Sequence, residues 1–297
     1  MKRSKLDWKI SSLGMLFMLP AMLMICFVVV IPLFWNIALS LSSWSVNQPM
    51  TFLGLDNYFT IFQDAKYMDT LWKSIFVAAV ATVVAMVLGI TLALFIHRLS
   101  RREGSVFRFI FFLPSIMPMS VVGLLFVFVL SPTKGLLNQI LELLHLGSLT
   151  HAWLSDPKTV LWVIGIVQGW RFSGMIMMFV YTSILTIPNS LFESANLDGA
   201  TWFQEIKGII LPLAKPTINM ACSLMLIWGF KSYGLVYAMT QGGPGNASET
   251  TPINMIKTAF TYNKFGVSSA LGVIFTVVVM FVVISGRKVL KSETYEF

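Results

Sequence analysis

The chain predicts an all-α membrane protein with six transmembrane helices, and three observations carry that expectation. Of its 297 residues, 56% are hydrophobic and only 11% charged, with a mean hydropathy of +0.78; soluble domains carry about a quarter charged residues. Apolar runs long enough to cross a bilayer occur six times, at 13–37, 74–96, 107–130, 160–186, 209–230 and 267–285. Within each run Leu, Val, Ile, Phe and Met mix without period-two alternation, which selects helices over barrel strands. A water-soluble globule, a disordered chain and a disulfide scaffold are excluded together. The two cysteines, Cys26 and Cys222, both lie in apolar runs and read as packing residues.

The first run follows Lys2, Arg3, Lys5 and Lys9, as a secretory signal would. Its apolar core is too long for one and no small-x-small cleavage site follows cleanly, so an uncleaved span is expected at 13–37. A tail at 1–12 precedes it and an extracytoplasmic loop at 38–73 follows. Thirteen basic residues fall on one side: those four, Arg98, Arg101, Arg102, Arg108, Lys207, Lys215, Arg287, Lys288 and Lys291. Seven fall on the other, Lys66, Lys73, Lys134, Lys158, Lys231, Lys257 and Lys264, spread over longer loops and mixed with acids. The positive-inside rule then puts both termini in the cytoplasm, with a second tail at 286–297. The net charge of +8 reads as topology, not as affinity for nucleic acid. In the outer loops, 136–146 carries Leu136, Leu137, Ile140, Leu141 and Leu144 at helical spacing, which predicts a short surface helix. His145 and His151 read as solvated loop residues, since no carboxylate or Cys stands beside them at metal-ligand spacing.

The six runs contain no Asp or Glu, so the buried carboxylate of a proton-coupled carrier is missing. There is no His-Glu-x-x-His, no paired intramembrane Asp and no Gly-Lys dipeptide, which leaves no intramembrane protease and no phosphate loop. Uphill transport by this chain would need energy delivered by another subunit, at a loop built for docking.

The 187–212 loop is the candidate. Pro188 ends the preceding span, and Ser190 with Glu193 three residues on forms a capping-box pattern that predicts a helix starting at 191. Gly199 offers a stop or a close-contact point. Phe192, Ala195, Asn196 and Gly199 would lie along one side of this helix. The run Glu193-Ser194-Ala195, then Gly199, then Ile209-x-Leu211-Pro212 resembles the EAA loop of ABC importer permeases, departing only at Ser194 where the family has Ala. Asp198-Gly199-Ala200 and Leu211-Pro212-x4-Pro216 are similar to its carbohydrate branch, the maltose-type permeases. So are the turn Gln241-Gly242-Gly243-Pro244 with Glu249-Thr250 after it, and the stretch Leu53-Gly54-Leu55-Asp56-Asn57-Tyr58.

The resemblance implies the type I ABC importer transmembrane fold, with a permease core at 74–285. It implies that the chain is not an enzyme and holds no cofactor of its own, ATP-Mg being bound by partner subunits. The implied partners are a second homologous permease, two ABC ATPase subunits, an extracytoplasmic solute-binding protein and the lipid bilayer. Glu193, Ser194, Ala195, Asp198, Gly199, Ala200, Ile209, Leu211 and Pro212 would couple to the ATPase.

Substrate contacts are read from the residues alone. Gln168, Trp170, Arg171 and Ser173 in the fourth run, and Trp228, Lys231 and Tyr233 at the end of the fifth, combine aromatic rings with polar groups as sugars require. Arg171 and Lys231 either face the cavity, which would favour an acidic, uronic oligosaccharide or a sugar or glycerol phosphate, or serve packing against a partner and snorkelling. A self-contained channel or facilitator is the competing reading; a membrane-embedded enzyme has no acid, nucleophile or metal constellation behind it.

Overall fold

A computed structural model describes residues 5–45 and 48–289. Lys2, Arg3, Lys291 and most of the second tail lie outside them. The chain begins with α1 (Lys5–Ile25), which runs through a π turn, Cys26–Val30, into α2 (Ile31–Ser40). A hairpin of β1 (Ser42–Ser45) and β2 (Gln48–Phe52) follows, then α3 (Asp56–Gln63) and α4 (Ala65–His97). Next come α5 (Arg101–Ile116), α6 (Met119–Val129), α7 (Leu136–Leu143) and α8 (Val160–Leu185). Then follow α9 (Asn189–Leu197), α10 (Trp202–Glu205) and α11 (Leu211–Phe230), the last two joined by a π turn at Ile206–Ile210. The order closes with α12 (Tyr233–Thr240), α13 (Thr251–Ile256) and α14 (Phe265–Val289).

Five stretches are long and apolar enough to cross a membrane on their own: Gly14–Ser40, Ala65–His97, Val160–Leu185, Trp202–Phe230 and Phe265–Lys288. The third expected span is instead a broken one, α5 and α6 meeting at 98°. Pro118 causes the break: it lacks an N–H, and its ring drives Met117 to an extended φ −69°, ψ 142°. Other prolines do not break their helices, Pro20, Pro114 and Pro216 among them. Pro32 and Pro212 each follow directly on a π turn, whose wider coil takes up the missing donor and the ring. The fifth span accordingly starts at Trp202 and not at 209. The 38–73 loop, expected without strands, holds the antiparallel pair Ser42↔Phe52.

The chain forms two compact units. One comprises Met1–Ala65 and Met255–Ile274. Within it Asn57 Nδ2 donates to the Ser40 and Ser42 carbonyls, both at 2.9 Å, and the Ser40 and Tyr58 hydroxyls meet at 2.7 Å. The Trp44 and Phe265 rings lie 4.7 Å apart, tying the hairpin to the start of α14. No part of the most apolar window in Gly14–Ser40 is buried, so Phe17, Phe27 and Phe34 present bare apolar surface of the kind a bilayer accepts.

The other unit comprises Lys66–Asn254 and Phe275–Phe297. Its centre is α8, 72% buried over its most apolar window. Small residues let the neighbours close in. A methyl placed on Gly165 would meet Val80 at 2.7 Å and one on Gly169 would meet the Ala81 carbonyl at 2.7 Å, so α4 lies against this Gly-x3-Gly seam. At Gly174 the same methyl would come within 2.0 Å of the Phe111 carbonyl of α5. Ala81, Ala85, Ile96, Phe172, Ile176, Ile210 and Met225 fill the adjoining core. The expected surface helix forms as α7, but it ends at Leu143, two residues before His145 takes φ +58°. Its inward anchor is polar: Asn138, 5% exposed, donates to the Pro132 and His151 carbonyls and accepts from Trp153 Nε1. Leu136, Ile140 and Leu144 of the predicted stripe are exposed. His151 is exposed, as expected of a loop residue, and hydrogen-bonds Asp156 at 2.6 Å.

Gly174→Ala is expected to destabilise by about 1–3 kcal/mol, because the added carbon meets backbone and not a movable side chain. Gly14→Ala, inside α1 with nothing within 4 Å, serves as the clash-free control and should gain about 0.5–1 kcal/mol from helix propensity. Thermal unfolding of the two variants in detergent or nanodiscs measures both; equal midpoints would mean that α5 and α8 do not pack this closely.

Candidate functional site

The first candidate site grows out of the break at Pro118. Ending α5 inside an apolar span frees the carbonyls of its last turn, and no water is at hand to receive them. Arg171 of α8 does so. It is 8% exposed; its Nε and Nη2 donate to the Met117 carbonyl at 3.2 and 2.8 Å, and Nη2 reaches the Ser115 carbonyl at 3.4 Å. A cation at a helix C-terminus also meets the negative end of the helix dipole. Ser115 returns the bond, its hydroxyl donating to the Arg171 carbonyl at 2.8 Å and accepting from Met175 N–H at 3.2 Å.

The same helix also reaches the end of α11. Gln168, 1% exposed, donates through Nε2 to the Trp228 carbonyl at 3.0 Å and the Gly229 carbonyl at 3.3 Å, where α11 ends at Phe230. Phe172 joins the two: the Arg171 guanidinium sits 4.6 Å over its ring, and the ring stacks on Trp228 at 5.1 Å and 15°. Two buried polar atoms, Arg171 Nη1 and Gln168 Oε1, have no partner among the described residues.

Of the seven predicted pathway residues, Gln168, Arg171 and Trp228 thus form one connected group. Trp170 instead packs edge-on against Phe126 at 5.3 Å, and the Ser173 hydroxyl donates to the Trp170 carbonyl at 2.7 Å within its own helix. Lys231 is exposed just past α11, and Tyr233 stacks on Tyr237 at 5.5 Å. Arg171, expected to face either the cavity or a partner, places its Nε and Nη2 on two carbonyls of its own chain and leaves Nη1 without a partner among the described residues. Phe172 and Ser115 were missed. Pro118 was the available signal, since a proline inside an apolar run announces freed carbonyls that something polar has to meet.

The second candidate site is α9 with the turn after it. The predicted capping box is not made. Pro188 takes the N-cap position and the helix starts at Asn189, which puts Ser190 inside the first turn where its hydroxyl cannot cap. Capping boxes form elsewhere, between Ser100 and Glu103 opening α5 and between Thr201 and Gln204 opening α10. At the far end Gly199 has φ +73°, its N–H donating to the Asn196 carbonyl at 3.1 Å while Ala200 N–H reaches the Ala195 carbonyl at 2.9 Å. That paired closure needs a residue free of Cβ strain in the left-handed region.

The faces of α9 also differ from expectation. Phe192 and Ala195 are half-buried, Phe192 packing on the core and lying 5.6 Å from the His97 ring. The free side shows Glu193, Ser194, Leu197 and Asp198, with Leu197 89% exposed. Ala200, Ile209, Leu211 and Pro212 are half-buried, the last three at and just after the π turn.

With this geometry in hand, residues 85–292 match the family described as the binding-protein-dependent transport system inner membrane component. The chain belongs to that family. It is therefore an inner-membrane transport component, not an enzyme. A probable ABC transporter permease of Bacillus subtilis, YurN, is 36% identical over 95% of this chain and 97% of its own. The probable starch degradation products transport system permease AmyD of Thermoanaerobacterium thermosulfurigenes is 29% identical over 89% of each. Among solved structures, a chain of a bacterial ABC transporter involved in import of the acidic polysaccharide alginate superposes with a TM-score of 0.82 at 21% identity, over 96% of each chain. That likeness gives this permease the ABC importer transmembrane fold.

Arg171→Met should strand the Ser115 and Met117 carbonyls and cost this family member about 1–3 kcal/mol. Arg171→Lys, with one point charge and no fork, should fall between. Thermal unfolding of the purified permease is the measurement; a Met variant as stable as the parent would show that the guanidinium does not hold the break.

Proposed function

We propose that this permease forms half of a translocation pathway for a carbohydrate, pairing with a second homologous permease and driven by two ABC ATPase subunits that dock on α9. An extracytoplasmic solute-binding protein delivers the substrate. Both termini and α9 lie on the ATPase side, in keeping with the thirteen basic residues assigned there, and 74–285 is the permease core. The observation that carries the docking reading is the free face of α9: Glu193 and Leu197 stand out from a short helix whose opposite side is anchored by Phe192 and whose end is set by Gly199. Closure of the ATPase dimer would move this helix as a rigid piece and rock the spans behind it.

Carbohydrate as the cargo draws on the starch-product relative and on the Phe172–Trp228 stack with Gln168 and Arg171 around it. In a state that uncovered them, their buried and unpartnered Oε1 and Nη1 would offer one acceptor and two N–H donors to a sugar hydroxyl. An acidic sugar is a second reading, favoured only by that one Nη1, because the rest of the guanidinium is engaged.

Leu197→Glu tests the docking. The side chain is nearly fully exposed, so the fold should hold within about 0.5 kcal/mol. Burying the new charge in a partner's groove should strip the ATPase from the detergent-purified complex. ATPase retention at the parental level would refute docking through this face. For the cargo, titrating the cognate binding protein with maltotriose and with a uronic trisaccharide separates the neutral from the acidic reading, and binding of neither refutes both.

A further inference from the structure

Two consecutive residues at the end of α4, His97 and Arg98, reach opposite ends of the α9 segment. The His97 ring lies 5.6 Å from Phe192 in the first turn of α9. The Arg98 guanidinium lies 4.9 Å over the ring of Trp202, the first residue of the long helix beyond the Gly199 stop. Nothing in the docking reading requires α4 to touch both places.

We propose that His97 and Arg98 are positioning residues forming a clasp that carries the displacement of α9 into α4; the inference rests on α9 being the ATPase dock. Each end of the clasp is held from behind. Phe192 and Trp202 both pack on the core cluster that contains Ile96, Ile206 and Ile210. Trp202 Nε1 is buried with no partner among the described residues, so the indole is kept in place by ring contacts alone. Glu205, one turn further on, is within Coulombic range of His97. Between the two grips the turn at Gly199 touches nothing within 4 Å of where a methyl would stand. α9 is also joined directly to α8 through residues 186–188, and Phe192 packs on the core, so the His97 and Arg98 contacts add a path into α4 beside that direct one.

From there the route is continuous and stiff. α4 has 33 residues in one unbroken helix, about 50 Å of rod. Its middle lies on the Gly165 and Gly169 seam of α8, through Val80, Ala81 and Val84. Gln168 and Arg171 are on that same stretch of α8, holding the ends of α11 and α5. A push at His97 and Arg98 is thus delivered to the helix that holds the break between α5 and α6 and the end of α11. Spatial continuity alone does not show coupling, so the test has to measure coupling itself.

The assembled importer is reconstituted in nanodiscs with its ATPase subunits, and ATP hydrolysis is measured with and without the purified solute-binding protein. Stimulation by a protein on the far side of the membrane must pass through the permease, which makes the stimulated-to-basal ratio the readout. Arg98→Gln and His97→Ala should each lower that ratio about fivefold or more, with basal hydrolysis and ATPase retention unchanged. Arg98→Lys, which keeps a cation over the indole, should keep at least half of it. Arg98→Gln combined with Trp202→Leu should be no worse than either alone, because both break one contact. An unchanged ratio, effects that multiply in the double variant, or basal hydrolysis falling in step with the ratio would each overturn the clasp. A parental chain that retains no ATPase in the same preparation would sink the docking reading and the clasp with it; an ATPase held normally by insensitive variants would sink the clasp alone.

Discussion

Inside a membrane a broken helix has to find donors for the carbonyls it frees, and much of the unit built on α8 follows from that constraint. Pro118 ends α5 within an apolar span, and α11 stops at Phe230 beside the Gln168 side chain. In water these carbonyls would bond solvent. Here Arg171 and Gln168, three residues apart on one helix, supply the N–H groups. The positive charge that made Arg171 look costly is offset by two carbonyls, a helix C-terminus and the face of Phe172, with no carboxylate partner among the described residues. Arg suits this position better than Lys because its planar fork addresses two acceptors while stacking on a ring.

Pro32 and Pro212 show a different response to the same constraint. There the helix widens into a π turn just before the proline and goes on, so the span stays continuous. Which solution a span takes depends on what packs beside it. Pro118 has Arg171 next to it. Pro212 follows a turn in which Ile206 and Ile210 are buried, and there the chain stays helical.

This distinction also marks how far the sequence could be read. Composition and run length are sums over many residues, so the six apolar stretches, the helical class and the loop after the fourth span were all legible. The EAA pattern was legible because it fixes residue types at fixed separations. What escaped depends on partners far along the chain. Ser190 and Glu193 have the spacing of a capping box, but Pro188 two residues earlier takes the N-cap first. The leucine stripe of α7 has helical period, yet which side faces inward is set by Asn138 finding Trp153 and two carbonyls. Phe192 looked like part of a docking face because its neighbours are small; its ring turns back to His97, which is 95 positions away in sequence. The role of Arg171 could be inferred only by pairing it with Pro118, and periodicity within one helix contains nothing of such a pair.

These contacts bear on how the spans can move. Along α8 the residues alternate in what they do to neighbouring backbones: Gly165 and Gly169 let α4 approach, Gln168 and Arg171 hold the ends of α11 and α5, and Gly174 lets α5 come within contact of its carbonyls. Backbone-to-backbone proximity and buried hydrogen bonds tolerate little sliding, since a shift of an ångström turns a 2.8 Å bond into an unsatisfied pair. Spans α4, α5, α8 and α11 are therefore expected to travel as a block and not to slip past one another. Any rocking of these four spans would then carry them together. A block of this kind suits a subunit with no energy source of its own: displacement applied at one end reaches the other without being absorbed by rearrangements between its helices.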